Sequence, residues 1–118
     1  MSITSDQDVN WKVTQGESFD LQLQYVDPDE VPINISGINI VAEVKDRPGG
    51  RLVSAKLQIG QGIEITDAAN GIFDIRFSST QTRHFNYPRA AYEILGSDQY
   101  GETILFLQGW FEVNAGVI

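Results

Sequence analysis

Phe19-Asp20-Leu21-Gln22-Leu23-Gln24-Tyr25 is the stretch that decides the fold class. Apolar and polar side chains alternate through all of it, a period of two. Successive strand side chains point to opposite faces, so the pattern predicts a half-buried β-strand. The same period recurs on either side. Ile38, Ile40, Ala42 and Val44 alternate with Asn39, Glu43 and Lys45, with Val41 as the exception. Phe73, Ile75 and Phe77 alternate with Asp74, Arg76 and Ser78, and Ala90, Tyr92 and Ile94 repeat the pattern. The run Thr103 to Val113 is apolar on both parities, with Ile104 and Phe106 on one and Leu105, Leu107, Phe111 and Val113 on the other. That predicts a central strand, or one sandwiched against a partner chain.

Turn chemistry separates these runs. Asp27-Pro28-Asp29-Glu30 leads into Val31-Pro32-Ile33-Asn34-Ile35, where Pro32 allows only an edge or bulge position. Asp46-Arg47-Pro48-Gly49-Gly50 reads as a mobile loop. Gly60-Gln61-Gly62 precedes a short strand, Ile63 to Thr66, and Asn70-Gly71 is a hairpin signal. Asp98-Gln99-Tyr100-Gly101 predicts a second hairpin turn. Only Ser79 to Phe85 reads as helix, capped by Ser78, Ser79 or Thr80 and stopped by Pro88. The expectation is an all-β fold, a small antiparallel β-sandwich of about seven to eight strands with one short helical turn near residues 79–85. Residues 1–10 read as a flexible polar arm and residues 11–118 as one domain.

Composition narrows the function. The chain has 118 residues, eight Lys+Arg against sixteen Asp+Glu, and a formal net charge of −8. Apolar residues make up 42% and charged residues 20%, a globular rather than a disordered balance. An acidic domain repels phosphate backbones, and the basic residues read as scattered, so no nucleic-acid partner is expected. The absence of cysteine excludes disulfides, thiolate metal sites and cysteine nucleophiles. The first eight residues lack the basic and apolar regions of a signal peptide. The longest apolar run, Ile104-Leu105-Phe106-Leu107, is far short of the roughly 20 residues that span a bilayer, so no membrane association is expected.

Catalytic motifs are sparse. His84 is the single histidine, and no Gly-x-Ser-x-Gly elbow accompanies it. Ser78 and Ser79 sit at the helix cap instead. Asp27, Asp29 and Glu30 form either a solvated turn or a calcium loop of hard oxygen ligands, without the glycine and distal glutamate of an EF-hand. Asp74, Glu43, Glu93 and Glu112 lie on outward strand positions, where acids ordinarily solubilise a sheet or guard its edges. Gly60-Gln61-Gly62 lacks the rest of a phosphate loop. No catalytic residue, cofactor or metal is assigned.

The aromatic residues carry the remaining signal. Trp11 precedes the first strong strand, and Trp110 follows Gly109, where a bulge would turn it outward. Trp110 reads as core, as a protein interface, or as a platform for a sugar. Trp11, Trp110, Tyr87 and Tyr100 are the candidate interface residues.

The order of features carries a resemblance. Val13-Thr14-Gln15-Gly16-Glu17-Ser18-Phe19 leads into the Leu-x-Leu-x-Tyr strand and Asp27. Val31-Pro32-Ile33-Asn34-Ile35-Ser36-Gly37 and an Ala42-x-Val44 strand follow. Next come Gly62-Ile63-x-Ile65-Thr66-Asp67-Ala68-Ala69-Asn70-Gly71, Ser79-Thr80-Gln81-Thr82, Tyr92-Glu93-Ile94, and Leu107-x-Gly109. From Trp11 to Val113 this resembles the small β-sandwich domains of tailed-bacteriophage virions, similar to the N-terminal domain of phage upper baseplate proteins. The resemblance implies an immunoglobulin-like or upper-baseplate-like sandwich and a non-enzymatic structural role on the virion tail or baseplate. It implies synthesis in the host cytoplasm and assembly as a homo-oligomer among other virion proteins. Upper baseplate proteins continue into a stalk, whereas this sequence stops at Ile118, which favours an adaptor, a tail or neck component, or a decoration protein. The negative charge adds the expectation of basic contact patches on those partners. The alternative is a carbohydrate-binding or head/neck decoration module.

Overall fold

The computed structural model describes residues 1–4 and 7–116. Its strands are β1 (Ser2–Ile3), β2 (Gln7–Asp8), β3 (Trp11–Thr14), β4 (Phe19–Tyr25) and β5 (Asn39–Lys45), followed by β6 (Val53–Ile59), β7 (Gly62–Asp67), β8 (Ile72–Phe77), β9 (Arg89–Ser97) and β10 (Thr103–Asn114). Among the described residues the one α-helical turn is α1 (Ser79–Thr82).

The fold is all-β, as the alternation predicts, but the strands form one continuous sheet. Its order is β1-β4-β8-β7-β6-β5-β9-β10-β2, with β3 also paired to β10. β6 and β7 touch in parallel over only two residue pairs, at Gln58–Gly62 and Ile59–Ile63, and there the sheet turns a corner. Beyond it the β4–β8 half folds over the β9–β10 half. Tyr25 of β4 lies 4.5 Å from Phe106 of β10 between ring centroids, and Phe77 of β8 lies 5.9 Å from Phe111. The result is barrel-like and nearly closed.

The start of the chain serves both margins of this sheet. β1 pairs in parallel with β4, placing Ser2 opposite Gln24 and Ile3 opposite Tyr25. β2 pairs with β10 at Leu107 and Gln108. The steps from Ile3 to Gln7 reach at most about 14 Å, so the two margins lie that close. The stretch read as an arm is therefore paired in its described part, and Ile3 is fully buried. Ser5 and Asp6 of that arm, and Val117 and Ile118 of the C-terminal tail, lie outside the described residues.

Ten strands among the described residues replace the expected seven to eight. β1, β2 and β3 are short segments whose pairing partners are far away in sequence. β6 does alternate, with Val53, Ala55, Leu57 and Ile59 against Ser54, Lys56 and Gln58, and its signal was readable. The expected strand Val31–Ile35 reduces to a single bridge, Val26 to Pro32, because proline removes a donor. The helix is shorter than Ser79–Phe85 and ends at Thr82.

β10 explains its own double parity. Its register against β9 shifts between Leu105 and Leu107, leaving Phe106 as an extra residue. Phe106 and Leu107, neighbours in sequence, are both fully buried. The strand is central, with β9 on one side and β2 and β3 on the other. Gly96 of β9 makes room for the bulge, since a Cβ there would approach Phe106 Cζ to 2.5 Å.

Candidate interaction surface

Trp11 is half-buried and structurally employed. Its Nε1 donates to Tyr92 Oη at 3.0 Å, and its ring meets Phe19 edge-on. Tyr92 Oη in turn donates to the Val9 carbonyl. Burial pushes the Tyr92 phenol up to about 12. The three groups tie β3 and the segment before it to β9.

Trp110 is also half-buried, but it faces a cavity of about 430 Å³ on the outer side of β5, β9 and β10. The Arg89 guanidinium carbon sits 4.3 Å from the Trp110 ring centroid, a cation–π contact that covers one ring face. Close approach of backbone sets the position of Trp110. A Cβ on Gly109 would meet the Val9 carbonyl oxygen at 2.0 Å, and Asn10 Oδ1 accepts from the Trp110 backbone N–H at 2.9 Å.

The same cavity holds a charge cluster. Glu43 and Glu93 are register partners on β5 and β9. Like charges opposite one another repel, and Lys45 relieves this by reaching both. Its Nζ lies 3.1 Å from Glu93 and 3.7 Å from Glu43. The hydrogen bond to Glu93 holds the ammonium above the usual lysine range, and Glu43 adds to it.

Tyr87 and Tyr100 are exposed at 65% and 81%. They lie beyond opposite ends of β9, a strand about 25–30 Å long, so the four aromatic candidates do not form one patch.

Other candidate groups have local duties. Ser78 Oγ accepts from Gln81 N–H, and Gln81 Oε1 accepts from Ser78 N–H, a capping box that occupies the serine. His84 is exposed just after the helix. Asp27 Oδ1 accepts from the backbone N–H groups of Asp29 and Val31, closing the turn on itself. Among the described residues no group of three histidine or acidic side chains is placed to hold a metal ion.

A second concavity escaped the sequence reading. The outward row Gln22–Asp74–Glu64 crosses β4, β8 and β7 by direct register pairing. It lies in a groove of about 1020 Å³ whose margin carries Ile59, an exposed apolar residue. Asp20 and Arg76 form an ion pair at 3.3 Å beside it, while Asp74 Oδ1 is desolvated with no hydrogen-bond partner among the described residues. The signal was the polar parity of three separate strands, and only their pairing brings it together.

The fold matches a solved phage domain. The N-terminal domain of phage TP901-1 ORF48 aligns over 98% of this chain and 95% of its own length, with a TM-score of 0.60 and 16% identity. At that identity the TP901-1 domain speaks for the fold, and it does so over nearly the whole of both chains. No protein-family model matches the chain, and no curated protein matches it.

Proposed function

We propose that the chain is a non-enzymatic structural protein of a tailed-phage virion, a tail, baseplate or fibre-adaptor component that assembles in multiple copies through protein–protein contacts. The observation that carries this reading is the whole-length similarity to the N-terminal domain of phage TP901-1 ORF48. The employment of the candidate catalytic groups supports the non-enzymatic part: Ser78 caps a helix, and Glu43 and Glu93 share Lys45. The partners are other virion proteins that present basic patches, because the chain carries a net charge of −8. Mass spectrometry of purified particles of the encoding phage tests the reading. The chain is expected among the virion proteins, and its absence from intact particles would refute the proposal.

A carbohydrate-binding role draws on the Trp110 cavity, which also offers the Asn10 and Gln108 amides. Arg89 on the Trp110 ring competes with sugar stacking at that face. Glycan-array binding lost in Trp110→Ala would favour this role over the structural one.

A further inference from the structure

The basic residues are not scattered in space. Four of the eight, Lys45, Arg47, Arg51 and Lys56, fall within residues 45–56, on the β5–β6 hairpin. This corrects the reading that no window gathers positive charge. Lys45 is engaged by two glutamates, but among the described residues no hydrogen bond or ion pair occupies the side chains of Arg47, Arg51 or Lys56, all exposed. The tip also carries Leu52, 72% exposed, and Val53, 47% exposed. Its turn is tight. Gly50 N–H donates to the Arg47 carbonyl at 2.9 Å, and a Cβ on Gly50 would meet Asp46 Oδ1 at 2.3 Å. The tip is thus an apolar knob flanked by exposed guanidinium groups.

The groove across β4, β8 and β7 is its chemical complement. Asp74 and Glu64 are register partners there, without a hydrogen-bonded cation between them among the described residues, and Ile59, 41% exposed, adds an apolar margin. The tip cannot reach the groove of its own chain. β6 separates them, with Val53 at one end and the groove residue Ile59 at the other, about 20 Å away.

We propose that the β5–β6 tip of one copy docks in the β4–β8–β7 groove of another, with Leu52 against Ile59 at its margin and Arg51 against Asp74 and Glu64. At a net charge of −8, copies repel in most orientations, and this contact sets opposite charges together. It joins two different patches, so the assembly is head-to-tail and closes into a ring when the rotation permits. The contact deepens the multi-copy reading above, yet it is tested in solution, apart from whether the chain is found in particles.

Analytical ultracentrifugation of the full chain reads the contact. The wild type is expected to self-associate at low salt, and to dissociate as salt rises from roughly 0.05 to 0.5 M. A tip variant, Arg51→Gln with Leu52→Ser, and a groove variant, Glu64→Gln with Asp74→Asn, should each weaken association about tenfold or more. Mixing the two should give one-to-one dimers and nothing larger, because one intact tip meets one intact groove. Circular dichroism checks that each variant is folded, and Glu64→Gln alone serves where the double groove variant is not. A monomeric wild type, variants that associate like the wild type, or a mixture that stays monomeric would overturn the proposal.

Discussion

Trp11 donates its indole N–H to the Tyr92 hydroxyl at 3.0 Å, a bond between residues 81 positions apart in sequence. Tyr92 passes the interaction on to the Val9 carbonyl and stacks on Phe111 at 4.6 Å. Replacing Tyr92 with Phe keeps the stacking and leaves the Trp11 donor and the Val9 acceptor without their partner. The expected loss is about 1–3 kcal/mol in denaturant unfolding.

The pH dependence follows from the same phenol. Its folded pKa is raised from 10.0 to about 12, so between those values the folded state holds a proton that the unfolded state has lost. Stability from this group is complete below pH 10 and declines as the pH rises towards 12. Urea titrations at pH 8 and pH 11 should show a loss for the wild type that is reduced in Tyr92→Phe. An equal loss in both proteins would remove Tyr92 as the cause.

Lys45→Met leaves Glu43 and Glu93 opposed with no cation between them. The pair is partly shielded from water, and the expected destabilisation is about 1 kcal/mol. Adding Glu43→Gln to Lys45→Met should recover part of it. Thermal melts of the single and double variants at low salt check this.

Ile3→Ala separates a structural N-terminus from an unattached one. Ile3 is fully buried in the core, next to Tyr25 in the β1–β4 register. Its truncation is expected to destabilise by about 2–5 kcal/mol, whereas an unattached residue would lose almost nothing. Chemical denaturation decides between these outcomes.

Gly109→Ala should be among the more damaging single-methyl additions, because its Cβ would stand 2.0 Å from the Val9 carbonyl oxygen and 3.0 Å from Asn10 Oδ1. Backbone must move, at a cost of about 1–3 kcal/mol. A changed near-ultraviolet signal from Trp110 should accompany the lower midpoint.

The strand class was legible because alternation is local. Phe19 to Tyr25 and Phe73 to Phe77 form the strands that their period predicts. The cap was local too, and of the three candidates Ser78, Ser79 and Thr80 the structure uses Ser78. What escaped the sequence depends on distant pairing. Ser2–Ile3 is too short to show a period and owes its place to β4. The bulge at Phe106 was visible only as apolar residues on both parities, which a central strand alone also explains. Among the candidate site residues, neither the Lys45 link between Glu43 and Glu93 nor the Gln22–Asp74–Glu64 row is contiguous in sequence. Each exists only once strands are set side by side.

The parallel pairing of β10 with β2 and β3 has a kinetic consequence. Gln7 meets Leu107 and Trp11 meets Phe111, so these contacts bridge nearly the whole chain. On a ribosome the first strands must wait, unpaired on that side, until residues 103–114 have emerged. Loop closure over such a separation is slow, and relative contact order places the domain among the slower folders of its size. Closing the seam is therefore expected late in folding, and before it closes β9 and the N-terminal strands expose edges to neighbouring nascent chains.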